Sequence, residues 1–175
     1  MKYPPKPFPN CYWLESARIL AGELPVASLP EYSSLKMKSL LDAGIRVFIN
    51  LIQESGFNYE SILNQVSTEE KLDIQYIRYP IKDMETPPVS LMKDILDTID
   101  NNLRLGKPVY YHCYAGLGRT GVVSGCWLAR HNQLEGDSIL AKLSKIRSDQ
   151  DHKTFWDSPQ SKEQINMVRN WKFGQ

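Results

Sequence analysis

The chain has 175 residues, of which 42% are apolar and 23% are charged, and its net charge is +1. This length and balance fit one folded domain with its own core. The near-neutral charge offers no bulk attraction for nucleic acid or an anionic membrane surface. No apolar run approaches the ~20 residues of a membrane-spanning helix, so we expect neither nucleic acid nor membrane as a partner.

The beginning of the chain differs from the rest. The first ten residues, MKYPPKPFPN, hold four prolines and no apolar stretch, so we do not expect them to act as a secretory signal. We predict an extended arm over residues 1–12, followed by the folded domain over residues 13–175. The three cysteines, Cys11, Cys113 and Cys126, are too few for a disulfide scaffold and indicate a reducing, cytoplasmic setting. None of the three histidines lies in a ligand-spaced cluster, so no metal site is expected.

After the arm, strand-like and helix-like segments alternate. In chain order, the predicted elements are a short strand or turn (17–25), a helix (29–44), a buried strand (45–52), a helix (59–72), a strand broken at Pro80 (74–81), a helix (90–107), a strand (108–112) and three more helices (118–131, 135–149 and 158–173). This alternation predicts a single α/β domain, in which helices flank both faces of a central, mostly parallel, twisted sheet. Lys142, Lys145 and Arg147 are expected on a solvated basic face.

The segment VYYHCYAGLGRTG, residues 109–121, has the most specific pattern. A strand runs into Cys113, a glycine-containing loop follows, and a helix begins near Gly118. Gly116 and Gly118 let the backbone bend so that successive N–H groups point inward and cradle an anion. The positive end of the following helix favours the same anion, and the planar fork of Arg119 can bind two phosphate oxygens.

Cys113 lies at the base of this loop, which consists of Tyr114, Ala115, Gly116, Leu117 and Gly118. The inward amides, the helix end and Arg119 all stabilise the thiolate over the thiol, so Cys113 is predicted to be a nucleophile toward phosphorus. Thr120 can donate a hydrogen bond to that thiolate. His112 is better placed to orient the loop than to act as a base.

This segment resembles the signature loop of the cysteine-based protein tyrosine phosphatases, His-Cys-x5-Arg-Ser/Thr, and its AGLGRTG interior is most similar to the compact dual-specificity branch. The resemblance extends from about residue 13 to residue 171 and implies a phosphotyrosine phosphatase-like fold. It also implies hydrolysis in two steps through a phosphocysteine, without metal or cofactor.

The resemblance also implies a general acid and a residue that places water. The family's general acid is an aspartate in a loop about thirty residues before the nucleophile, which matches Asp83; Glu85 is the weaker candidate. Asp83 would protonate the leaving oxygen and later take a proton from water. In SPQSKEQ, residues 158–164, Gln160 matches the family's water-orienting glutamine, and Gln164 is a second match.

The substrate is less sharply defined. The loop interior has no lysine, which disfavours highly charged inositol lipids, and the short chain predicts a shallow pocket walled partly by residues 81–85. We therefore expect a monomeric enzyme that removes phosphate from phosphotyrosine, and also from phosphoserine and phosphothreonine, in proteins. The alternatives are a phosphatase of a non-protein substrate, such as an inositol phosphate, a phosphoinositide or a nucleotide, and an inactive phosphoprotein-binding module.

Overall fold

The computed structural model describes residues 3–153 and 155–175. Its elements are β1 (Cys11–Glu15), β2 (Ile19–Gly22), α1 (Pro30–Asp42), β3 (Val47–Ile52), α2 (Glu60–Glu69), β4 (Gln75–Ile81), α3 (Val89–Arg104), β5 (Val109–His112), α4 (Gly118–His131), α5 (Asp137–Ser148) and α6 (Lys162–Asn170).

The five strands form one sheet in the order β1-β2-β5-β3-β4. Strand β1 is antiparallel to β2, whereas the pairs β2–β5, β5–β3 and β3–β4 are all parallel. The predicted α/β fold with a mostly parallel sheet is confirmed. Because four parallel strands end at the same edge, the loops that follow β2, β3, β4 and β5 are brought together there.

Helices cover both faces of the sheet, as predicted. On one face, Phe48 and Ile52 of β3 pack in a cluster with residues of α1 and α2; on the other, Ile49 and Leu51 pack with residues of α3, α4, α5 and α6. Successive side chains of a strand point to opposite faces. Strand β3 is therefore buried along its whole length, which explains its near-continuous apolar sequence.

The two strands at the edges of the sheet differ from the sequence-based expectation. Cys11 and Tyr12 pair with Gly22 and Ala21, so they lie in β1 rather than in an extended arm. At the opposite edge, β4 continues through Pro80, and its pairing with β3 shifts register near that proline. An edge strand tolerates proline because the missing N–H has no neighbouring strand to bind.

Two further expectations near the C-terminus were wrong. The last helix begins at Lys162 rather than at Ser158, because Ser161 caps it in a reciprocal capping box with Gln164. Arg147 does not lie on a solvated face: it is 4% exposed, and its guanidinium donates to backbone carbonyls of the segment that follows α5.

Candidate active site

The Cys113 loop joins the end of β5 to the start of α4, at the edge where the parallel strands end. Gly116 has a φ of +73°, a conformation that side-chain-bearing residues rarely adopt. A Cβ on Gly116 would lie 2.5 Å from the carbonyl carbon of Gly22, so the loop also depends on close backbone contact with the end of β2. Glycine is thus required here for both its conformation and its size.

Carbonyl groups on the outer side of the loop accept hydrogen bonds from neighbouring segments. The carbonyl of Tyr114 accepts from the amide of Leu24 at 3.0 Å, and the carbonyl of Leu117 accepts from the Ser158 hydroxyl at 2.8 Å. In a trans peptide the C=O and the following N–H point in opposite directions. Holding a carbonyl outward therefore directs the next amide toward the inside of the loop, where an anion would bind.

His112 orients the loop from the sheet side. Its Nδ1 lies 2.9 Å from the carbonyl oxygen of Cys113, and its Nε2 lies 2.7 Å from the hydroxyl of Tyr59. Burial lowers the pKa of His112 to about 4, so the ring is neutral at pH 7. The carbonyl can only accept, so Nδ1 carries the hydrogen and Nε2 accepts from Tyr59. A neutral ring with both nitrogens engaged is placed to orient the loop.

Cys113 is nearly buried, at 3% exposure, and its sulfur contacts Thr120. The Thr120 hydroxyl accepts from the Cys113 amide at 2.9 Å and lies 3.1 Å from the sulfur. It can therefore donate its hydrogen to the sulfur and stabilise the thiolate form. The two other cysteines are buried, and burial raises the pKa of the Cys11 thiol to about 11 and that of Cys126 further. They are therefore thiols at pH 7.

Arg119 is 3% exposed and brings two carboxylates to the site. Its Nη1 donates to Glu54 Oε2 at 2.9 Å and to the Ile81 carbonyl at 3.0 Å, and its Nη2 lies 3.1 Å from Asp83 Oδ1. These contacts leave one N–H on Nη2 and the N–H of Nε; Nε is buried with no hydrogen-bond partner among the residues that the structure describes. A buried, unsatisfied guanidinium N–H is costly, and an oxyanion bound by the loop would satisfy it.

Glu54 was missed by the sequence-based reasoning. It follows β3, the neighbour of β5, so its position beyond the carboxyl end of that strand was the available signal. Burial acts to raise the pKa of Glu54, but the hydrogen bond and charge of Arg119 outweigh it and hold that pKa below its usual value. Glu54 is therefore ionised at pH 7 and orients Arg119.

The two candidate acids of the β4–α3 loop are separated by the structure. The Asp83 carboxylate is 65% exposed and reaches Arg119, whereas the Glu85 carboxylate pairs with Lys82. Between them, Met84 adopts a φ of +63°. Asp83 and Glu85 on either side of that turn thus have different partners, Arg119 for Asp83 and Lys82 for Glu85.

The two glutamines lie near the start of α4 but differ in their surroundings. Gln164 is fully buried; its Oε1 accepts from the amides of Gln160 and Ser161, and its Nε2 donates to the Glu85 carbonyl at 3.1 Å. Gln160 is exposed, and its Oε1 lies 2.9 Å from the position that a Cβ on Gly118 would take. Both side-chain amides therefore border Gly118, since Gln164 Oε1 lies 3.1 Å from the same position, and Gln164 also joins the acid loop to α6.

A family model described as a polymorphic toxin system, DSP-PTPase phosphatase, matches residues 27–133, which include Asp83 and the whole Cys113 loop. The chain belongs to this family. It is therefore a member of the cysteine-based phosphatase superfamily of the DSP/PTP type, in agreement with the resemblance of the loop.

Individual relatives agree with this assignment. The chain is 30% identical over 135 residues to protein tyrosine phosphatase domain-containing protein 1 of Mus musculus, covering 70% of this chain and 17% of that one. It is 31% identical over 77 residues to phosphatidylinositol 3,4,5-trisphosphate 3-phosphatase cnrN of Dictyostelium discoideum, covering 43% of this chain and 12% of that one. The chain thus spans less than a fifth of the length of these relatives.

The fold matches that of solved phosphatases. The crystal structure of Tk-PTP in the active form superimposes with a TM-score of 0.74 at 19% identity, covering 94% of this chain and 97% of that one. Within residues 3–153 and 155–175 of the DSP-PTPase chain, no His, Cys, Asp and Glu side chains gather into a metal-binding group, and no helix is long and apolar enough to cross a bilayer.

Proposed function

We propose that this chain hydrolyses phosphate monoesters of phosphotyrosine, and also of phosphoserine and phosphothreonine, in proteins. The observation that carries the chemistry is the Arg119 guanidinium, which lies beside the Cys113 loop with one buried N–H unsatisfied among the described residues and two carboxylates already bound. Such a donor beside a nucleophilic sulfur fits a phosphoryl group held for in-line attack.

In the first step, the Cys113 thiolate attacks phosphorus, and the bond from phosphorus to the leaving oxygen breaks. Asp83, in its protonated form, gives its proton to that oxygen, which departs as an alcohol or phenol. The loop amides and Arg119 stabilise the charge on the three equatorial oxygens. The product on the enzyme is a phosphocysteine.

In the second step, a water placed by Gln160 attacks the phosphocysteine. The Asp83 carboxylate takes a proton from that water, the sulfur–phosphorus bond breaks, and inorganic phosphate leaves. Thr120 eases the departure of sulfur by donating its hydroxyl hydrogen to the thiolate as it forms. The enzyme returns to its starting state with Asp83 protonated.

The mouth of the site favours a phosphate carried by an aromatic or apolar group. Tyr114 follows the nucleophile directly and is 59% exposed, and its ring meets that of Phe57 edge-to-face at a centroid distance of 5.5 Å. Met84, beside the general acid, is 48% exposed. Exposed apolar side chains around a polar site favour a substrate with an aromatic or apolar group next to its phosphate.

A non-protein substrate is the second candidate, because a relative with a lipid phosphatase name matches the chain. The charges around the Cys113 loop weigh against a highly phosphorylated headgroup. Lys82 is paired with Glu85, and Lys153 is bound to Glu23 and to the carbonyl of Ala115. No lysine is present in the loop itself, so additional phosphate groups would find few free cations.

A substrate panel tests this proposal. Initial rates are measured on a phosphotyrosine peptide, a phosphoserine peptide, an aryl phosphate and a water-soluble phosphoinositide, with a chelator present and with Cys113→Ser as the inactive control. We expect the aryl phosphate and the phosphotyrosine peptide to be hydrolysed fastest. A phosphoinositide preferred over the phosphotyrosine peptide would overturn the substrate class. A parent protein that binds phosphopeptide without turnover would establish a binding module instead.

The aromatic wall provides a second, sharper comparison. Tyr114→Ala should lower kcat/KM on the phosphotyrosine peptide by about fivefold more than on the phosphoserine peptide, because an aromatic contact is worth about 1 kcal/mol. Tyr32→Ala is the matched control, since Tyr32 is a similarly exposed tyrosine on α1. Equal losses on both peptides would remove Tyr114 from substrate recognition.

A further inference from the structure

The segment between α5 and α6 sends a lysine to the back of the Cys113 loop. Lys153 Nζ donates to the carbonyl oxygen of Ala115 at 2.7 Å, and its side chain is 21% exposed. We propose that Lys153 is a positioning residue that locks the Ala115–Gly116 peptide with its N–H facing the bound phosphate. This inference deepens the proposed function and rests on it, because it assigns Lys153 to the same phosphate site.

The peptide between Ala115 and Gly116 needs such a lock. Rotating a peptide plane changes ψ of the residue before it and φ of the residue after it, and glycine accepts both signs of φ with little penalty. Gly116, at a φ of +73°, therefore leaves its own peptide free to turn over. Because C=O and N–H are opposed, the Lys153 bond to the carbonyl keeps the Gly116 amide directed into the loop.

Lys153 is itself held in an unfavourable conformation. Its φ is +44°, and Asp151 two residues earlier has a φ of +50°, although neither residue is a glycine. The buried guanidinium of Arg147 donates to the carbonyls of Lys153 at 3.1 Å and Trp156 at 3.0 Å. Strained backbone persists only where the surroundings determine it, and here Arg147 supplies that support from inside the domain.

The positive charge of Lys153 also favours anion binding by the Gly116 amide. A cation on the carbonyl oxygen polarises the peptide and makes its N–H a better donor to an anion on the other side. The second contact of Lys153 is Glu23, at 3.4 Å, and Glu23 is bound more closely by Lys36, at 2.9 Å. Glu23 therefore keeps Lys36 as a partner if Lys153 is replaced. Among the described side chains, only Lys153 donates a hydrogen bond to the carbonyl of Ala115.

Three variants separate these contacts. Lys153→Met removes the donor and the charge, Lys153→Arg keeps both, and Lys36→Met removes a cation from Glu23 without touching the loop. The measurements are the inhibition constant of inorganic phosphate, kcat and KM on an aryl phosphate, and the urea midpoint. Losing one charge-assisted hydrogen bond that orients a phosphate donor should weaken phosphate binding about tenfold.

We expect Lys153→Met to raise both KM and the phosphate inhibition constant about tenfold. Lys153→Arg should restore most of the loss, and Lys36→Met should stay near the parent values. Parental phosphate affinity in Lys153→Met would overturn the proposal. An equal effect of Lys36→Met would also overturn it, since the loss would then come from Glu23.

Two further measurements keep the inference separate from protein stability and from the proposed function. Lys153→Gln retains an N–H donor without the charge. A phosphate affinity between those of Lys153→Met and the parent supports the lock. A phosphate affinity equal to that of Lys153→Met, in a Lys153→Gln protein with the parental urea midpoint, contradicts a hydrogen-bond role. Phosphate binding is also titrated calorimetrically in a Cys113→Ser background. Because that titration needs no turnover, a parent that hydrolyses nothing would refute the proposed function, while the effect of Lys153 on phosphate binding would still be measured.

Discussion

Replacing Gly116 with alanine tests the backbone geometry on which the site depends. The new Cβ would lie 2.5 Å from the carbonyl carbon of Gly22, 2.7 Å from its oxygen and 2.8 Å from the amide nitrogen of Glu23. All three are backbone atoms, so no flexible side chain can move aside. Ordinary carbon–carbon contacts are about 3.5–4.0 Å, and the loop must therefore shift by about an ångström.

The cost has two parts that a matched variant separates. Gly106 has a φ of +71°, almost the same as Gly116, but nothing lies within 4 Å of the position that a Cβ on Gly106 would take. Gly106→Ala should therefore cost only the conformational penalty, about 1–2 kcal/mol. Gly116→Ala should cost that penalty plus about 1–3 kcal/mol for overpacking, a total of about 2–5 kcal/mol.

The effect on turnover should exceed the effect on stability. A displacement of about 1 Å in groups that position a substrate can cost about 10² in rate. We expect Gly116→Ala to lose at least that factor in kcat/KM on an aryl phosphate, and Gly106→Ala to retain parental activity. Urea unfolding gives the free energies, and initial rates give the activities. If Gly116→Ala matched Gly106→Ala in both, the close approach to Gly22 would have no importance for the site.

Three further predictions follow from the site and its surroundings. Asp83→Ala should lower kcat by about 10²–10³ on alkyl or phenyl phosphates and by less on p-nitrophenyl phosphate, which leaves without a proton; equal losses would exclude Asp83 as the acid. Arg119→Lys should lower kcat/KM by at least about 10², because it loses the fork that holds phosphate through two charge-assisted hydrogen bonds; near-parental rates would contradict the cradle. Burial lowers the pKa of His112 to about 4 and that of His152 to about 3. A histidine in the unfolded chain has a pKa near 6.5, so as the pH falls from 7 to 5.5 the unfolded state binds protons that the folded state does not. The free energy of unfolding should therefore fall by about 2–3 kcal/mol over this range. In His112→Gln, the decrease in the free energy of unfolding over this pH range, measured by urea unfolding, should be smaller. An unchanged decrease would show that His112 does not contribute to it.

Some of the differences between prediction and structure have a common cause. Sequence patterning located β3, α3, β5 and α4, because each has a continuous run or a clear periodicity. It missed β1, whose pairing with β2 is decided by the rest of the sheet. It also placed Arg147 on a solvated face, since nothing in the local pattern shows that its guanidinium would be buried against the carbonyls of Lys153 and Trp156.

The candidate site divides in the same way. Cys113, Gly116, Arg119 and Thr120 lie within eight consecutive residues, so backbone bending, helix polarity and side-chain chemistry act over a short distance and can be read from the sequence. The partners of these residues come from elsewhere in the chain. Glu54 reaches Arg119 from the end of β3, and the other contacts of the loop also come from distant segments.

The sequence by itself therefore determined that an anion-binding loop with a cysteine at its base would form between a strand and a helix. Only the tertiary structure decided which carboxylates meet Arg119 and which groups hold the outer carbonyls of the loop. The physical reason is the range of the forces involved. Local conformation depends on neighbouring residues, whereas ion pairs and carbonyl contacts between distant segments exist only after the parallel strands have brought their ends together.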